Sequence, residues 1–155
     1  MEESTGILQQ RRIEAKVISA FYASLAKEFG DERSRVLVGQ VIHGLAVEKG
    51  RELRRMNPAG DLKAIIDLWQ KLGEGGALDV EFIQQSPDCL RLRINRCGYA
   101  DAYKEMGIGT ELRSILSCSR DEALLKGFSG EITLERSRTI MEGANYCELI
   151  YRVKK

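Results

Sequence analysis

Apolar positions change their period about halfway along the chain. Up to Leu72 they recur three and four residues apart, as on one face of a helix. Val17, Ile18, Phe21, Tyr22, Leu25 and Phe29 make one such stripe, and Gly30 is placed to end it. Val36, Leu37, Val41, Ile42 and Leu45 make a second, which runs out into charge near Arg51 to Arg55. Asn57-Pro58 reads as the start of a third helix, with Asn as N-cap and Pro at the first helical position. That helix presents Leu62, Ile65, Ile66, Trp69 and Leu72 and stops at Gly73.

From Leu78 the period is two. Leu78, Val80 and Phe82 alternate with polar neighbours, and so do Leu90, Leu92 and Ile94 after the turn Ser86-Pro87-Asp88. The two runs predict an antiparallel hairpin. Short helices follow at roughly Tyr99 to Met106 and Thr110 to Ser117. A third begins in the capping-box sequence Ser119-Arg120-Asp121-Glu122 and runs to about Gly127. Ile132 and Leu134 open a third strand. Glu142-Gly143-Ala144-Asn145 supplies a turn, and Cys147, Leu149, Tyr151 and Val153 share one face of a fourth. The expected fold is α+β: a helical N-terminal half packed on a four-stranded antiparallel sheet, with short helices inserted between two hairpins. No linker divides the chain, so residues 1–155 read as a single domain.

Composition narrows the function classes. A net charge of +1 argues against a nucleic-acid partner, which relies on excess Lys and Arg. No apolar run approaches the roughly 18 residues that span a bilayer, so no membrane partner is expected. The start, Met1-Glu2-Glu3-Ser4, is acidic rather than signal-like, and the expected location is the cytoplasm. Reducing conditions there favour thiols over disulfides for the four cysteines. His43 is the single histidine, which rules out multi-histidine metal sites within one chain. No GxSxG elbow accompanies it, and Gly73, Gly75 and Gly76 lack the phosphate-loop pattern. No cofactor is expected. The apolar helical faces leave room for a homo-oligomer.

Candidate chemistry lies between Asn95 and Tyr151, which hold Cys97, Cys118 and Cys147. If Ser119 caps a helix, Cys118 sits just before its N-terminus, where the partial positive charge favours a thiolate. The alternative is a small buried hydrophobe, because free cysteine is among the most buried residue types. Asp121 follows one turn later and could transfer a proton, or simply complement the helix dipole. Arg136 and Arg138 continue the parity of Ile132 and Leu134, which turns both toward the apolar face unless a bulge after Leu134 turns both to solvent. A guanidinium on the apolar face needs an anion, either a ligand carboxylate or a neighbouring glutamate. Cys147 shares the inner face of its strand, whereas Cys97 has the outward parity of Arg91 and Arg93 unless a bulge intervenes. Tyr99 suits either core or pocket rim. Three cysteines with Asp121 or His43 could ligate zinc, but no CxxC pair is present.

These segments resemble a known family. Arg96-Cys97-Gly98-Tyr99, Cys118-Ser119-Arg120-Asp121 and the stretch from Glu135 to Cys147 resemble the C-terminal pattern of the L-2-amino-thiazoline-4-carboxylic acid hydrolase family. The helical first half fits that family too. Gly143 to Cys147 is also similar to small-molecule-binding domains of the vinyl-reductase type. The first resemblance implies hydrolytic opening of a small cyclic isothiourea that bears a carboxylate. On that expectation Cys118 attacks the amidine-type carbon and Asp121 holds the amino group or activates water. Arg138 and Arg136 take the substrate carboxylate, and Cys97, Cys147 and Tyr99 complete the pocket. The alternative is a non-catalytic small-molecule-binding or sensor domain, with or without cysteine-ligated zinc.

Overall fold

The computed structural model describes residues 6–155, and the acidic start Met1 to Ser4 lies outside them. Helices α1 (Ile7–Phe29) and α2 (Asp31–Met56) pack together across Gly30, and α3 (Leu62–Glu74) leads into β1 (Leu78–Gln85) and β2 (Cys89–Cys97). Three short helices follow: α4 (Gly98–Glu105), α5 (Thr110–Leu116) and α6 (Ser119–Phe128). Then come β3 (Ile132–Arg138), a 3-10 turn (Ile140–Glu142) and β4 (Cys147–Val153). The strands form one antiparallel sheet in the order β1-β2-β4-β3. The fold is α+β as expected, with the short helices between the two hairpins.

The period-two runs supply the inner face of the sheet. Leu90, Leu92, Leu149 and Tyr151 are almost wholly buried there, against Ile42, Ile65, Trp69 and Tyr103 from the helices. Burying each large aliphatic side chain stabilises the fold by roughly 1.5–3 kcal/mol. The core therefore ties the helical half to the sheet.

Three local expectations are corrected. Asn57-Pro58 does not start a helix. Asn57 caps the end of α2, its side-chain amide donating to the Leu53 carbonyl at 3.0 Å, and α3 begins at Leu62 behind Asp61. Ser119 does not form a capping box: its hydroxyl donates to the Ile115 carbonyl at 2.7 Å, and α6 has no side-chain cap. Cys118 keeps helical angles (φ −61°, ψ −34°), so the chain passes from α5 to α6 without the extended residue that capping uses. The apolar stripes of α1 and α2 are also wider than the core they meet. Ile18, Tyr22 and Ile42 pack on it, while Val17, Phe21, Val41 and Leu45 each keep more than half of their surface exposed.

Helix α6 owes its position to two glycines. A Cβ on Gly50 of α2 would stand 1.9 Å from the Leu124 carbonyl oxygen, and one on Gly127 of α6 would stand 2.0 Å from that of Val47. Both obstacles are backbone, so neither can swing aside. Gly50→Ala or Gly127→Ala is expected to destabilise the fold by about 3 kcal/mol, at the upper end of overpacking costs. Gly44 on α2 faces open space. Gly44→Ala should instead stabilise by up to about 1 kcal/mol through helix propensity. Urea denaturation of the three variants checks the contrast.

Candidate functional site

Helices α1, α3 and α6 and the inner face of the sheet enclose a cavity of about 250 Å³. Most of its wall is hydrocarbon, from Ile65, Leu68, Trp69, Leu72, Leu124 and Leu149. Its polar groups come from few places. Cys118, Arg120 and Asp121 enter from the start of α6, Arg136 and Thr139 from β3 and its end, Cys97 and Cys147 from β2 and β4, and Tyr99 from α4. Of the residues singled out in the sequence, Cys97, Tyr99, Cys118, Asp121, Arg136 and Cys147 thus line one space.

Arg138 does not. Strand β3 carries an irregularity at Ser137, so Arg136 pairs with Leu149 but Arg138 pairs with Glu148. One extra residue reverses the alternation that follows it. Arg136 stays inside, Arg138 turns outward and Thr139 takes the inner position. The Arg138 guanidinium lies 4.9 Å from the centre of the Tyr146 ring, which Arg93 also approaches at 4.4 Å. It borders a separate polar hollow that shares Cys118, Arg136 and Thr139 with the cavity. The expectation that both arginines face inward is therefore corrected.

A second bulge acts in the opposite sense on Cys97. Asp79 pairs with Arg96 and Val80 with Ile94, which leaves Asn95 as the extra residue and returns Cys97 to the inner face opposite Leu78. Cys97 then caps α4, its sulfur accepting from the Ala100 N–H at 3.4 Å. Cys118 occupies the corresponding position before α6, but its side chain makes no capping hydrogen bond there.

The thiols are held neutral. Burial pushes the Cys118 thiol up to about 12, and the neighbouring Asp121 carboxylate adds to the effect. Burial also raises Cys97 and Cys147, although each sulfur accepts a backbone N–H, that of Ile140 at 3.1 Å for Cys147. The expected low-pKa thiolate at Cys118 is thus corrected: desolvation and a like charge outweigh the helix terminus. All four cysteines are free, and among the described residues no group of three or more His, Cys, Asp or Glu side chains is placed to hold a metal ion. His43 lies exposed on α2, away from the cavity lining.

Asp121 is the titrating group of the site. Burial raises its carboxyl to about 6, against the opposing charge of Arg136. Arg136 donates to the Cys118 carbonyl at 2.8 Å and to Asp121 Oδ2 at 3.4 Å. One guanidinium thereby joins the residues on either side of the first turn of α6. The pair is long and incomplete, since 30% of the Asp121 side chain remains accessible and that residue borders the cavity.

Sequence reasoning missed most of the lining, including four residues that matter to its chemistry. Trp69 donates its indole N–H to the Tyr151 hydroxyl at 3.1 Å, and burial raises the Tyr151 pKa. Both lay on recognised apolar faces, where core and pocket look alike. Arg120 stood within the family-like segment without a binding role of its own. Arg11 precedes the apolar stripe of α1 and carried no signal.

The comparisons fit this architecture. The family model for L-2-amino-thiazoline-4-carboxylic acid hydrolase matches residues 10–151, and the chain belongs to that family. A search of curated proteins finds no match. Two solved structures share the fold at low identity. The phenol-responsive sensory domain of the transcription activator PoxR with phenol is 14% identical, with a TM-score of 0.50 over 88% of this chain and 73% of that one. Trafficking protein particle complex subunit 3 from Naegleria fowleri, covalently bound to palmitic acid, is 12% identical. Its TM-score is 0.54 over 94% of this chain and 96% of that one.

The sign of the Asp121 shift gives a test. Its folded-state pKa lies above the ordinary 3.8, at about 6, so the folded protein binds the proton more tightly than the unfolded chain. Its contribution to stability is present at low pH and is lost as pH rises from 3.8 through about 6. Urea unfolding across that range should show wild type losing stability relative to Asp121→Asn as pH rises. Parallel curves would mean that Asp121 is not buried as described.

Proposed function

We propose that the chain hydrolyses a small cyclic amidine or isothiourea bearing a carboxylate, such as 2-amino-thiazoline-4-carboxylate, and that the cavity is its active site. The observation that carries this reading is the convergence of Cys118, Asp121 and Arg136 on one largely apolar space. Family membership supports the reaction class.

The chemistry follows from the protonation states. A neutral Cys118 thiol must lose its proton during attack, and Asp121, one turn away and near 6, is the base that can take it. Sulfur bonds to the amidine carbon as the C=N electron pair moves onto nitrogen. The pair then returns to re-form a C=N bond as the ring bond to the leaving atom breaks, and Asp121 returns the proton to that atom. Water then cleaves the covalent adduct and restores the thiol, so the net change is addition of one water. Arg136 keeps the carboxylate turned toward the cavity and is a positioning residue.

A second reading is a ligand-binding domain without turnover. The aliphatic wall and the protonated thiols favour it, because a dry pocket with few polar groups is sufficient for binding. The two readings separate on consumption of the probe. Incubation with 2-amino-thiazoline-4-carboxylate should yield a product heavier by one water, seen by mass spectrometry. Asp121→Asn should lower turnover by about 10²–10⁴, and Cys118→Ser should abolish it with the fold intact. Wild-type turnover in Cys118→Ser sinks the nucleophile, and binding without product selects the second reading.

A further inference from the structure

A carboxylated substrate needs a cation, and Arg138 is outside the cavity while Arg136 is committed to Asp121 and the Cys118 carbonyl. Two other guanidiniums border the same space. Arg11 projects from the first turns of α1 and Arg120 from the start of α6. They share one carboxylate: Glu14 Oε2 lies 2.8 Å from Arg11 Nη1 and 3.6 Å from Arg120 Nη2. Arg120 is anchored by its Nε, which donates to the Leu116 carbonyl at 2.6 Å, and its side chain is only 17% exposed.

The charges there do not balance. Arg11 and Arg120 share the single carboxylate of Glu14 in a half-buried setting, and the other anion nearby, Asp121, is already paired with Arg136, so one positive charge is left uncompensated, which is costly. Burial and the nearby Arg11 charge both weigh against the proton on Arg120, and Glu14 opposes them only in part. Both guanidiniums also act on the Asp121 carboxyl, which places them within electrostatic reach of it. Asp121 and the two guanidiniums border the same cavity, an anion and cations that a molecule bearing both an amidine and a carboxylate calls for.

We propose that Arg11 and Arg120, bridged by Glu14, form the anion subsite of the cavity and receive the substrate's carboxylate while Asp121 meets its amidine end. The assignment rests on the functional reading above and adds to it the two residues that set carboxylate specificity. Glu14 holds the two forks side by side, and the incoming carboxylate supplies the missing negative charge.

The test compares 2-amino-thiazoline-4-carboxylate with its neutral carboxamide, by calorimetric binding and by KM where turnover occurs. Wild type should prefer the carboxylate. Arg11→Gln, on the more exposed of the two residues, should weaken carboxylate binding about ten- to a hundredfold and leave carboxamide binding nearly unchanged. Arg120→Gln should do the same, and Arg11→Gln keeps the test decisive if loss of the Leu116 anchor unfolds that variant. Arg138→Gln should keep the wild-type preference. Equal preference in wild type and Arg11→Gln overturns the subsite while the cavity reading stands. Failure of wild type to bind either probe overturns both.

Discussion

The candidate site depends on how closely α6 lies against α2. Gly50 and Gly127 let the two backbones meet where any side chain would strike a carbonyl oxygen. That contact fixes the short helix whose opening residues are Cys118, Arg120 and Asp121. Held against α2 on one side, α6 presents those residues toward the inner face of β3, and Arg136 bonds both the Cys118 carbonyl and the Asp121 carboxylate. A backbone contact in the scaffold thus sets the geometry of the polar groups.

The cavity combines an aliphatic wall with a few charges that are only partly matched. Asp121 is shifted upward because burial outweighs Arg136; Cys97 and Cys147 are shifted upward because burial outweighs their hydrogen bonds, and Cys118 because burial and the Asp121 charge outweigh Arg136. These shifts have one origin in low local dielectric, but their consequences differ. They disarm the cysteines as resting nucleophiles, and they bring one carboxyl toward the range where it exchanges protons at neutral pH. The cysteines first stood out as the reactive feature of the sequence. In the structure burial holds all three thiols up, and the Asp121 charge adds to it at Cys118 and Cys147.

Period and parity made the architecture legible. The switch from helical spacing to alternation separated the helical half from the sheet, and the paired runs gave both hairpins. Strand order was not legible, because the β2–β4 pairing joins segments far apart in sequence and leaves no local mark. Single-residue bulges explain the site errors. An extra Asn95 turned Cys97 inward, and an extra Ser137 turned Arg138 outward. Neither position carries a glycine or proline that would announce a bulge. Periodicity also could not say how much of a wide apolar stripe the core would cover, which is why Phe21 and Val41 lie exposed. Arg11 shows a further limit: its place in the cavity wall depends on where α1 is docked, which its own neighbours in sequence do not encode.

For the cavity to be the active site, Cys118 and Asp121, the latter held by Arg136, must address a single bound molecule. A crystal structure of Cys118→Ser with 2-amino-thiazoline-4-carboxylate measures this directly. The ring should lie inside the cavity, with its exocyclic nitrogen hydrogen-bonded to Asp121 and its amidine carbon facing residue 118. A ring seated in the outer hollow beside Arg138, or one in the cavity with its amidine turned away from Asp121, would contradict the account.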